Sequence, residues 1–369
     1  MEQALALAAL GEGTTSPNPR VGCVIVRDGQ VVGRGFHRAA GEPHAEALAI
    51  RDAGELARGA TLYVNLEPCV HHGRTPPCAD RVVKSGVGRV VASITDPNPL
   101  VNGKGFAILR EAGIQVDTGL LEQPARWLNR TFLHWHVAGR PWVTLKAAVS
   151  VDGMLSALGG ESKWITGPVA RRFAHRLRFR HDAVLVGAGT VRRDDPRLTI
   201  RLEGTSAPRL RVVLSTDLGI DPSSRILDRN GAGSVTRVYT STEVDARRAA
   251  TIAAKAEVRR VPLVDGKLDL LHVLSDLGHD GIQSVLVEGG AQTFASFLEG
   301  ELAQEAAVFT APRVIGARGG TPMVDGQAAS RPTMGWRLSP VQGVPLGVDL
   351  LVLGRLEREA GSGTARGER

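Results

Sequence analysis

The feature that most constrains this chain is an alternation of helix-patterned and strand-patterned segments, interrupted at Gly139-Arg140-Pro141. Before the interruption, Met1–Leu10 reads as an Ala/Leu-rich helix. Val21–Arg27 and Gln30–Gly35 are β-rich runs on either side of Asp28-Gly29, a dipeptide suited to a tight hairpin turn. Ala45–Ala53 has the pattern of a helix, Ala60–Leu66 a strand and Ala79–Ser85 a helix. Gly88–Ser93 reads as a strand, Gly105–Ala112 as a helix and Ile114–Thr118 as a strand. This order predicts a three-layer α/β domain in which helices cover a sheet. After the interruption the alternation resumes. Strands are predicted at Trp142–Ala148, Ala183–Val186, Arg211–Leu214, Val235–Thr240, Ser284–Val287, Ala307–Thr310 and Leu350–Leu353. Helices are predicted at Pro168–Arg178, Leu268–Leu277 and Ala291–Glu299. The expectation is two domains, 1–139 and 141–355. The Gly/Glu/Arg-rich stretch 356–369 is expected to be disordered. A length of 369 residues accommodates two such domains.

Composition narrows the function classes. Three cysteines cannot form a disulfide scaffold. The formal charge is +7, but 39 of the 45 basic residues are Arg and the excess is spread over both halves. No run of five or six like charges marks a polyanion-binding stripe, and aromatics make up only 4% of the chain. A small phosphorylated ligand fits this better than a nucleic acid. No apolar stretch reaches the ~18–20 residues of a membrane helix. Glu2 stands where a secretion signal would carry basic residues, so a cytoplasmic location is expected.

Three short segments carry the chemistry of the first domain: Pro43-His44-Ala45-Glu46, Glu67-Pro68-Cys69 and Pro76-Pro77-Cys78. One His and two Cys make three zinc ligands and leave a fourth tetrahedral position open, the arrangement of a catalytic rather than a structural site. Zinc brings the pKa of water it binds to about 7. Glu46 is not needed as a ligand and is placed to relay a proton to a substrate nitrogen. This is the chemistry of hydrolytic deamination at a ring carbon. H-x-E followed by P-C and a second Cys is the zinc nucleobase-deaminase signature. The common form has two residues between the cysteines; here eight intervene, Val70 to Pro77. Cys69 is expected to open a helix, with the inserted loop returning before Cys78. His71 and His72 lie in that loop and are candidates to touch zinc or substrate. Cys23, in a predicted strand, is expected in the core.

The string PCVHHGRTPPC (Pro68–Cys78), with SPNPRVG (Ser16–Gly22), HAE (His44–Glu46) and DPNPLVNGKG (Asp96–Gly105), resembles the deaminase half of the bifunctional riboflavin-biosynthesis deaminase/reductase family. The resemblance implies a cytidine-deaminase-like fold, zinc held by His44, Cys69 and Cys78, Glu46 as proton donor, and Asn18 against the pyrimidine ring.

The second domain lacks a dinucleotide fingerprint. Gly187-Ala188-Gly189 follows a strand, but no third Gly comes after it. Val287-Glu288-Gly289-Gly290-Ala291-Gln292-Thr293 is more informative, because a strand ends in two glycines before a helix, which suits phosphate binding. LKAAVSVDG (Leu145–Gly153), ESKWITG (Glu161–Gly167), HDAVLVGAGTVRRDDPRLT (His181–Thr199) and VEGG (Val287–Gly290) resemble the reductase half of the same family. That half has a dihydrofolate-reductase-like fold and uses NADPH. The resemblance implies a cofactor site lined by Ala148, Trp164, Thr190, Asp194, Thr216, Gly290, Ala291, Gln292, Thr293, Phe294, Ala295 and Ser296. It implies substrate contacts from Ser162, Arg178, Leu198, Arg201 and Glu288. Arg178 and Arg201 suit a bidentate clamp on a ribose phosphate. The pair Arg192-Arg193 departs from the family pattern.

The two activities become consecutive on one substrate, a phosphoribosylamino-pyrimidine. Deamination converts the base to a uracil, and hydride transfer at the ribose C1′ gives a ribitylamino product. Asp194 or Glu288 is placed to assist protonation in the second step. The family resemblance also implies a homo-oligomer, a dimer or larger. A nucleic-acid base deaminase would share zinc and Glu46 but leaves the second domain unexplained. A non-enzymatic zinc module leaves the open ligand position and Glu46 unexplained.

Overall fold

Asp28 and Gly29 take positive φ (52° and 76°), and strands β1 (Gly22–Arg27) and β2 (Gln30–Phe36) close on them as an antiparallel hairpin. The computed structural model describes residues 1–70, 76–162, 164–202, 209–228, 235–327 and 329–358. His71 and His72 therefore lie outside the described residues. The chain divides into two units, Met1–Arg140 and Pro141–Arg369.

The first unit adds β3 (Thr61–Val64), β4 (Arg89–Ala92) and β5 (Gln115–Thr118), giving the sheet order β2-β1-β3-β4-β5. β1 pairs with β2 and β3 antiparallel, while β3, β4 and β5 run parallel. The helices are α1 (Glu2–Ala9), α2 (Ala45–Ala53), α3 (Cys78–Ser85), α4 (Lys104–Glu111), α5 (Glu122–Leu128) and α6 (Arg130–Ala138). Side chains alternate across a strand, so each sheet face gathers its own apolar set. On one face Ile25, Leu62 and Val90 pack with Ala49 of α2, Val82 of α3 and Phe106 and Leu109 of α4. Another cluster joins Leu66 and Ile94 to Ala125 of α5 and Phe132 of α6, with Leu5 of α1 against it. Cys23 is fully buried in the first of these cores.

Helix α2 sits on β2 through backbone rather than side chains. A Cβ added to Gly33 would lie 2.3 Å from the carbonyl oxygen of Ala49, and one added to Gly35 would lie 2.3 Å from that of Ala45. Both distances are far inside van der Waals contact, so only glycine lets the helix approach this closely.

The second unit carries a nine-stranded sheet. Its strands are β6 (Trp142–Ser150), β8 (Ala183–Gly187), β9 (Leu210–Leu214), β10 (Thr236–Ser241), β11 (Glu257–Val261), β14 (Ser284–Val287), β15 (Glu305–Ala311), β17 (Trp336–Leu346) and β18 (Asp349–Arg358). Short strands β7 (Met154–Ser156) and β16 (Thr321–Pro322) pair with each other, as do β12 (Leu263–Val264) and β13 (Lys267–Leu268). The order is β11-β10-β9-β8-β14-β6-β15-β18-β17, parallel from β11 to β15 and closed by the antiparallel β17–β18 hairpin.

The helices are α7 (Pro168–Arg180), α8 (Ala188–Asp194), α9 (Ala246–Ala253), α10 (Leu270–His279) and α11 (Ala291–Glu299). Val285 and Val287 face α10 and α11 through Val273, Leu277, Phe294 and Phe297. Leu286 and Phe309 face α7 through Ala170 and Leu177. Val184 and Val186 face α8 and α9 through Val191 and Ile252. The near-continuous apolar strands are those of a parallel sheet covered on both faces.

Three expectations change. Cys69 opens no helix; the helix of this region starts at Cys78, directly after Pro77. Leu356 to Arg358 belong to β18 rather than to a tail, because Leu356 pairs with Leu338 across the hairpin. The rest of that tail lies outside the described residues. Strand β17 was not expected, since it contains Pro340 and Pro345; an edge strand tolerates proline because part of its N–H row needs no partner.

Candidate active sites

In the first unit the deaminase motifs converge. His44 is the N-cap of α2, in extended backbone (φ −71°, ψ 161°), and Glu46 lies in the first turn. Cys78 is the first residue of α3, and Cys69 comes in the segment after β3. The ligand atoms of His44, Cys69 and Cys78 all lie within 4.8 Å of one another. His44 Nδ1 is 3.2 Å from Cys78 Sγ and 3.5 Å from Cys69 Sγ, and the Cys78 backbone N–H donates to Cys69 Sγ at 3.4 Å.

Hydrogen bonding from Cys78 holds the Cys69 thiol well below its ordinary value, and the same interaction pushes Cys78 up. The donor set of one imidazole and two sulfurs fits zinc.

Glu46 is 3% exposed. Burial first, and the Cys69 charge second, raise its carboxyl to about 7. A carboxyl poised there can both take and give a proton near neutrality.

A cavity of about 430 Å³ opens onto these groups, lined also by Asn18, His37, Asp96, Asn98 and Trp135. Asn18 Nδ2 lies 3.0 Å from His37 Nε2. The segment carrying Asn18 is tied down by amides. Asn65 Oδ1 accepts from Gly22 N and Asn129 Oδ1 from Arg20 N, each at 2.8 Å.

Another part of the lining hangs on Glu67. Its buried carboxylate accepts backbone N–H bonds from Asp96 (3.1 Å), Gly103 (2.9 Å), Gly105 (2.9 Å) and Phe106 (3.3 Å). Gly105 is forced there, since an added Cβ would lie 2.2 Å from the Pro68 carbonyl oxygen. Asp96, in that part of the lining, has its carboxyl raised to about 6, chiefly by burial. His37, Glu67 and Asp96 were not singled out from sequence; the DPNPLVNGKG string was the available signal for Asp96.

In the second unit a cavity of about 690 Å³ lies beyond the C-terminal ends of the central strands. This is where parallel α/β sheets bind ligands. Ala148, Trp164, Thr190, Asp194, Gly290, Ala291 and Phe294 of the expected cofactor set line it, as do Ser162, Arg178, Arg201 and Glu288 of the expected substrate set. A cavity of about 620 Å³ shares Thr190, Gly290 and Ala291 with it and is lined further by Thr216, Gln292, Thr293 and Ser296. Two expected residues line neither. Leu198 is 6% exposed in the apolar cluster of Val184 and Val191, and Ala295 is 2% exposed on the core side of α11.

Glu288 sets the electrostatics of the floor. Arg178 donates to it bidentately, Nε to Oε1 at 2.5 Å and Nη2 to Oε2 at 2.8 Å, and Lys146 Nζ stands 3.8 Å from Oε2. Arg178 Nη1 also donates to the Thr199 carbonyl at 2.9 Å. Three of its five N–H groups are thus engaged inside the protein, and the side chain lines the cavity. Burial opposes the Glu288 charge, but Arg178 and Lys146 together hold its carboxyl down to about 2. Burial lowers Lys146. His175, also on the lining, is held down at about 4 by burial and then by Arg178 and Arg201, and its Nδ1 accepts the Arg201 backbone N–H at 3.2 Å. Ser162 Oγ donates to Asp194 Oδ1 at 3.0 Å. Lys146 stands in the LKAAVSVDG string but was not singled out within it, and His175 sits in an Arg-rich helix with no motif to mark it.

Comparison with known proteins bears on both sites. The cytidine and deoxycytidylate deaminase zinc-binding region matches residues 1–94, and the RibD C-terminal domain matches residues 141–351. The chain is 45% identical to the riboflavin biosynthesis protein RibD of Bacillus amyloliquefaciens, over 89% of this chain and 87% of that protein. It is 43% identical to the Escherichia coli RibD, over 86% and 88%. Its structure superposes on Acinetobacter baumannii RibD with a TM-score of 0.85 at 36% identity, covering 97% of this chain and 98% of that one. A Thermotoga maritima structure, described as a diaminohydroxyphosphoribosylaminopyrimidine deaminase/5-amino-6-(5-phosphoribosylamino)uracil reductase, gives 0.82 at 35% identity, covering 96% and 97%. With a three-donor metal cluster beside a buried carboxyl in one unit and a glycine-edged ligand cavity in the other, the chain belongs to the RibD family, whose members join a zinc-dependent deaminase to an NADPH-dependent reductase for riboflavin biosynthesis.

Proposed function

We propose that the first unit hydrolyses the exocyclic amine of 2,5-diamino-6-(5-phosphoribosylamino)pyrimidin-4-one, giving ammonia and 5-amino-6-(5-phosphoribosylamino)uracil. The second unit then reduces the ribose of that product to the ribityl chain at the expense of NADPH. The observation that carries the reading is the approach of His44, Cys69 and Cys78 to within 4.8 Å beside the buried Glu46.

His44, Cys69 and Cys78 would hold zinc, which when bound makes hydroxide available near neutral pH. The rest falls to side chains. Glu46 takes a proton from the attacking water and delivers it to the departing nitrogen, a role that its raised carboxyl suits. Asn18 and its neighbour His37 offer hydrogen bonds to the pyrimidine edge. The loop fixed by Glu67 walls the pocket.

In the second unit, Gly290 to Ser296 and Thr216 would cradle the cofactor, with Ala148, Trp164, Thr190 and Asp194 along its path. Ser162, Arg201 and Glu288 would contact the sugar phosphate. Arg178 keeps the Glu288 carboxylate charged and oriented. Arg178 and Arg201 both line the cavity and would share the phosphate. Leu198 and Ala295 would serve by packing behind the site. The reading includes a cytoplasmic homo-oligomer that takes no nucleic acid; light scattering on the purified chain reports its assembly.

The test separates the two half-reactions. Ammonia release and NADPH oxidation are followed in wild type, Glu46→Ala and Arg201→Ala. Glu46→Ala should lose ammonia release yet reduce supplied deaminated intermediate, and Arg201→Ala should do the reverse. Ammonia release from an RNA or from another nucleobase alone would overturn the reading.

A further inference from the structure

We infer that Arg192, which departs from the family pattern, contacts the 2′-phosphate of the cofactor and strengthens the preference for NADPH over NADH in this chain. The inference rests on the reductase reading above and names a residue that this reading leaves unassigned.

The two cavities of the second unit form a path across strand ends. One end holds Glu288 and Arg178, where the sugar is reduced. The path continues past Gly290 and Thr190 to Thr216, at the end of β9. In the sheet β9 is two strands from β14, with β8 between them. At about 4.8 Å per strand, Thr216 lies roughly 10 Å from the β14 end. A dinucleotide that places its nicotinamide at the first end and its pyrophosphate at the start of α11 therefore brings its adenosine ribose toward Thr216.

The charges at that far end select the ligand. Arg192 lies in the last turn of α8 and lines the far cavity alone, whereas Arg193 lines both cavities. A Cβ on Gly160 would lie 3.0 Å from Arg193 Cδ, so the Arg193 stem is directed toward the 158–160 turn. Arg192 Nη1 instead donates to the Gly219 carbonyl at 2.9 Å, on the loop that follows Thr216. One hydrogen bond anchors the guanidinium and leaves its other N–H groups for a ligand. Lys267, on the same lining, already pairs with Glu299 at 3.5 Å.

Asp217 is the competing group, since a carboxylate at this position in a nucleotide site binds the 2′-hydroxyl of NAD. Its Oδ1 accepts the Gly219 N–H at 2.9 Å, which turns the carboxylate into its own loop. A planar, permanently charged fork beside it suits a dianionic phosphate better than a neutral hydroxyl.

The test is equilibrium binding, measured by calorimetry on the full chain with NADP⁺, NAD⁺ and 2′-AMP, so that no turnover is needed. Wild type should bind NADP⁺ more tightly than NAD⁺ and should bind 2′-AMP. Arg192→Ala should weaken NADP⁺ and 2′-AMP on the order of 10- to 100-fold, as for a lost charged hydrogen bond, and leave NAD⁺ within about twofold. Arg192→Lys should recover part of the loss, and Arg193→Ala should keep the NADP⁺/NAD⁺ ratio. Retained NAD⁺ binding and an unchanged near-UV circular dichroism spectrum check that the second unit of each variant is folded. An unchanged ratio in Arg192→Ala, or its collapse in Arg193→Ala, overturns the inference while leaving the reductase reading intact. Failure of wild type to bind either dinucleotide overturns the reductase reading itself.

Discussion

The two sites are built by opposite means. The deaminase site gathers its reactive groups from the first turns of two helices and one segment between them, so its chemistry sits on four residues with defined spacing. The reductase site is spread along the ends of parallel strands and carries its charge as a buried cluster in which Glu288 meets Lys146 and Arg178, each more than 100 positions before it. A site with one proton carrier fails at one residue. A site made of mutually neutralising charges fails by losing its fold locally when any member is removed.

The sharpest break of the comparison is Glu46→Gln. It should lower ammonia release by about 10²- to 10⁴-fold, with zinc content by atomic emission and the melting temperature close to wild type. NADPH oxidation with supplied deaminated intermediate should stay within about twofold. Loss of both activities together would mean that the sites are not separable.

Glu288→Gln should act differently, by unfolding as well as by inactivation. Glu288 has its carboxyl lowered from 4.5 to about 2 and a side chain only 7% exposed. A depressed carboxyl contributes stability that is present above pH ~4.5 and lost as pH falls toward 2. The shift corresponds to on the order of 3 kcal/mol. Acid titration of wild type, followed by near-UV circular dichroism, should show the second unit losing structure through that window. In the variant the pH-dependent component should vanish and the unit should be less stable at pH 7, since two cations remain buried beside a neutral amide. An acid profile identical to wild type would show that the triad carries no such stability.

The Gly105→Ala variant sharpens the comparison on the deaminase side. Its methyl meets the Pro68 carbonyl, so the Glu67-bound loop must shift, at a cost of about 1–3 kcal/mol. A lower first-unit stability and a raised KM for deamination are expected, with metal content intact. Equilibrium denaturation and dialysed zinc analysis check both parts.

The smallest expected effect is from Trp164→Leu. The ring is 67% exposed and carries the Arg171 guanidinium 4.4 Å above it, a contact worth about 0.5–1 kcal/mol at such a site. Stability should barely change, and the effect should appear instead in dinucleotide affinity, read by titration.

The contrast also explains what was legible in the sequence. His44, Cys69 and Cys78 stand in short, proline-flanked strings whose spacing encodes the site, and Ala45–Ala53 and Ala291–Glu299 have the bounds their patterns predict. Lys146 stood in the LKAAVSVDG string, but β6 is apolar on both sides of it, so no alternation marked the residue that faces the cavity. Arg178 was legible as a site residue, but its partner was not; pairing with Glu288 is set by the sheet order, which local pattern does not specify. Helices α5 and α6 went unread because Pro124 and the polar pair Asn129-Arg130 interrupt an otherwise amphipathic stretch, and α8 because seven residues are too few to show a period.

The backbone contact of α2 with Gly33 and Gly35 has a consequence for how this enzyme can change. The helix that carries Glu46 rests on its strand without intervening side chains, so no rotamer can swap there to enlarge or reshape the pocket from that direction. On the deaminase reading, variation in the accepted ring would come through other parts of the lining, the segment of Asn18 and the loop gathered by Glu67, which are held by hydrogen bonds that can be exchanged one at a time. The chemistry is thereby mounted on a fixed jaw and the selectivity on an adjustable one. A library of randomised residues should return altered substrate ranges from positions 16–20 and 96–106, and inactive protein from 33 and 35.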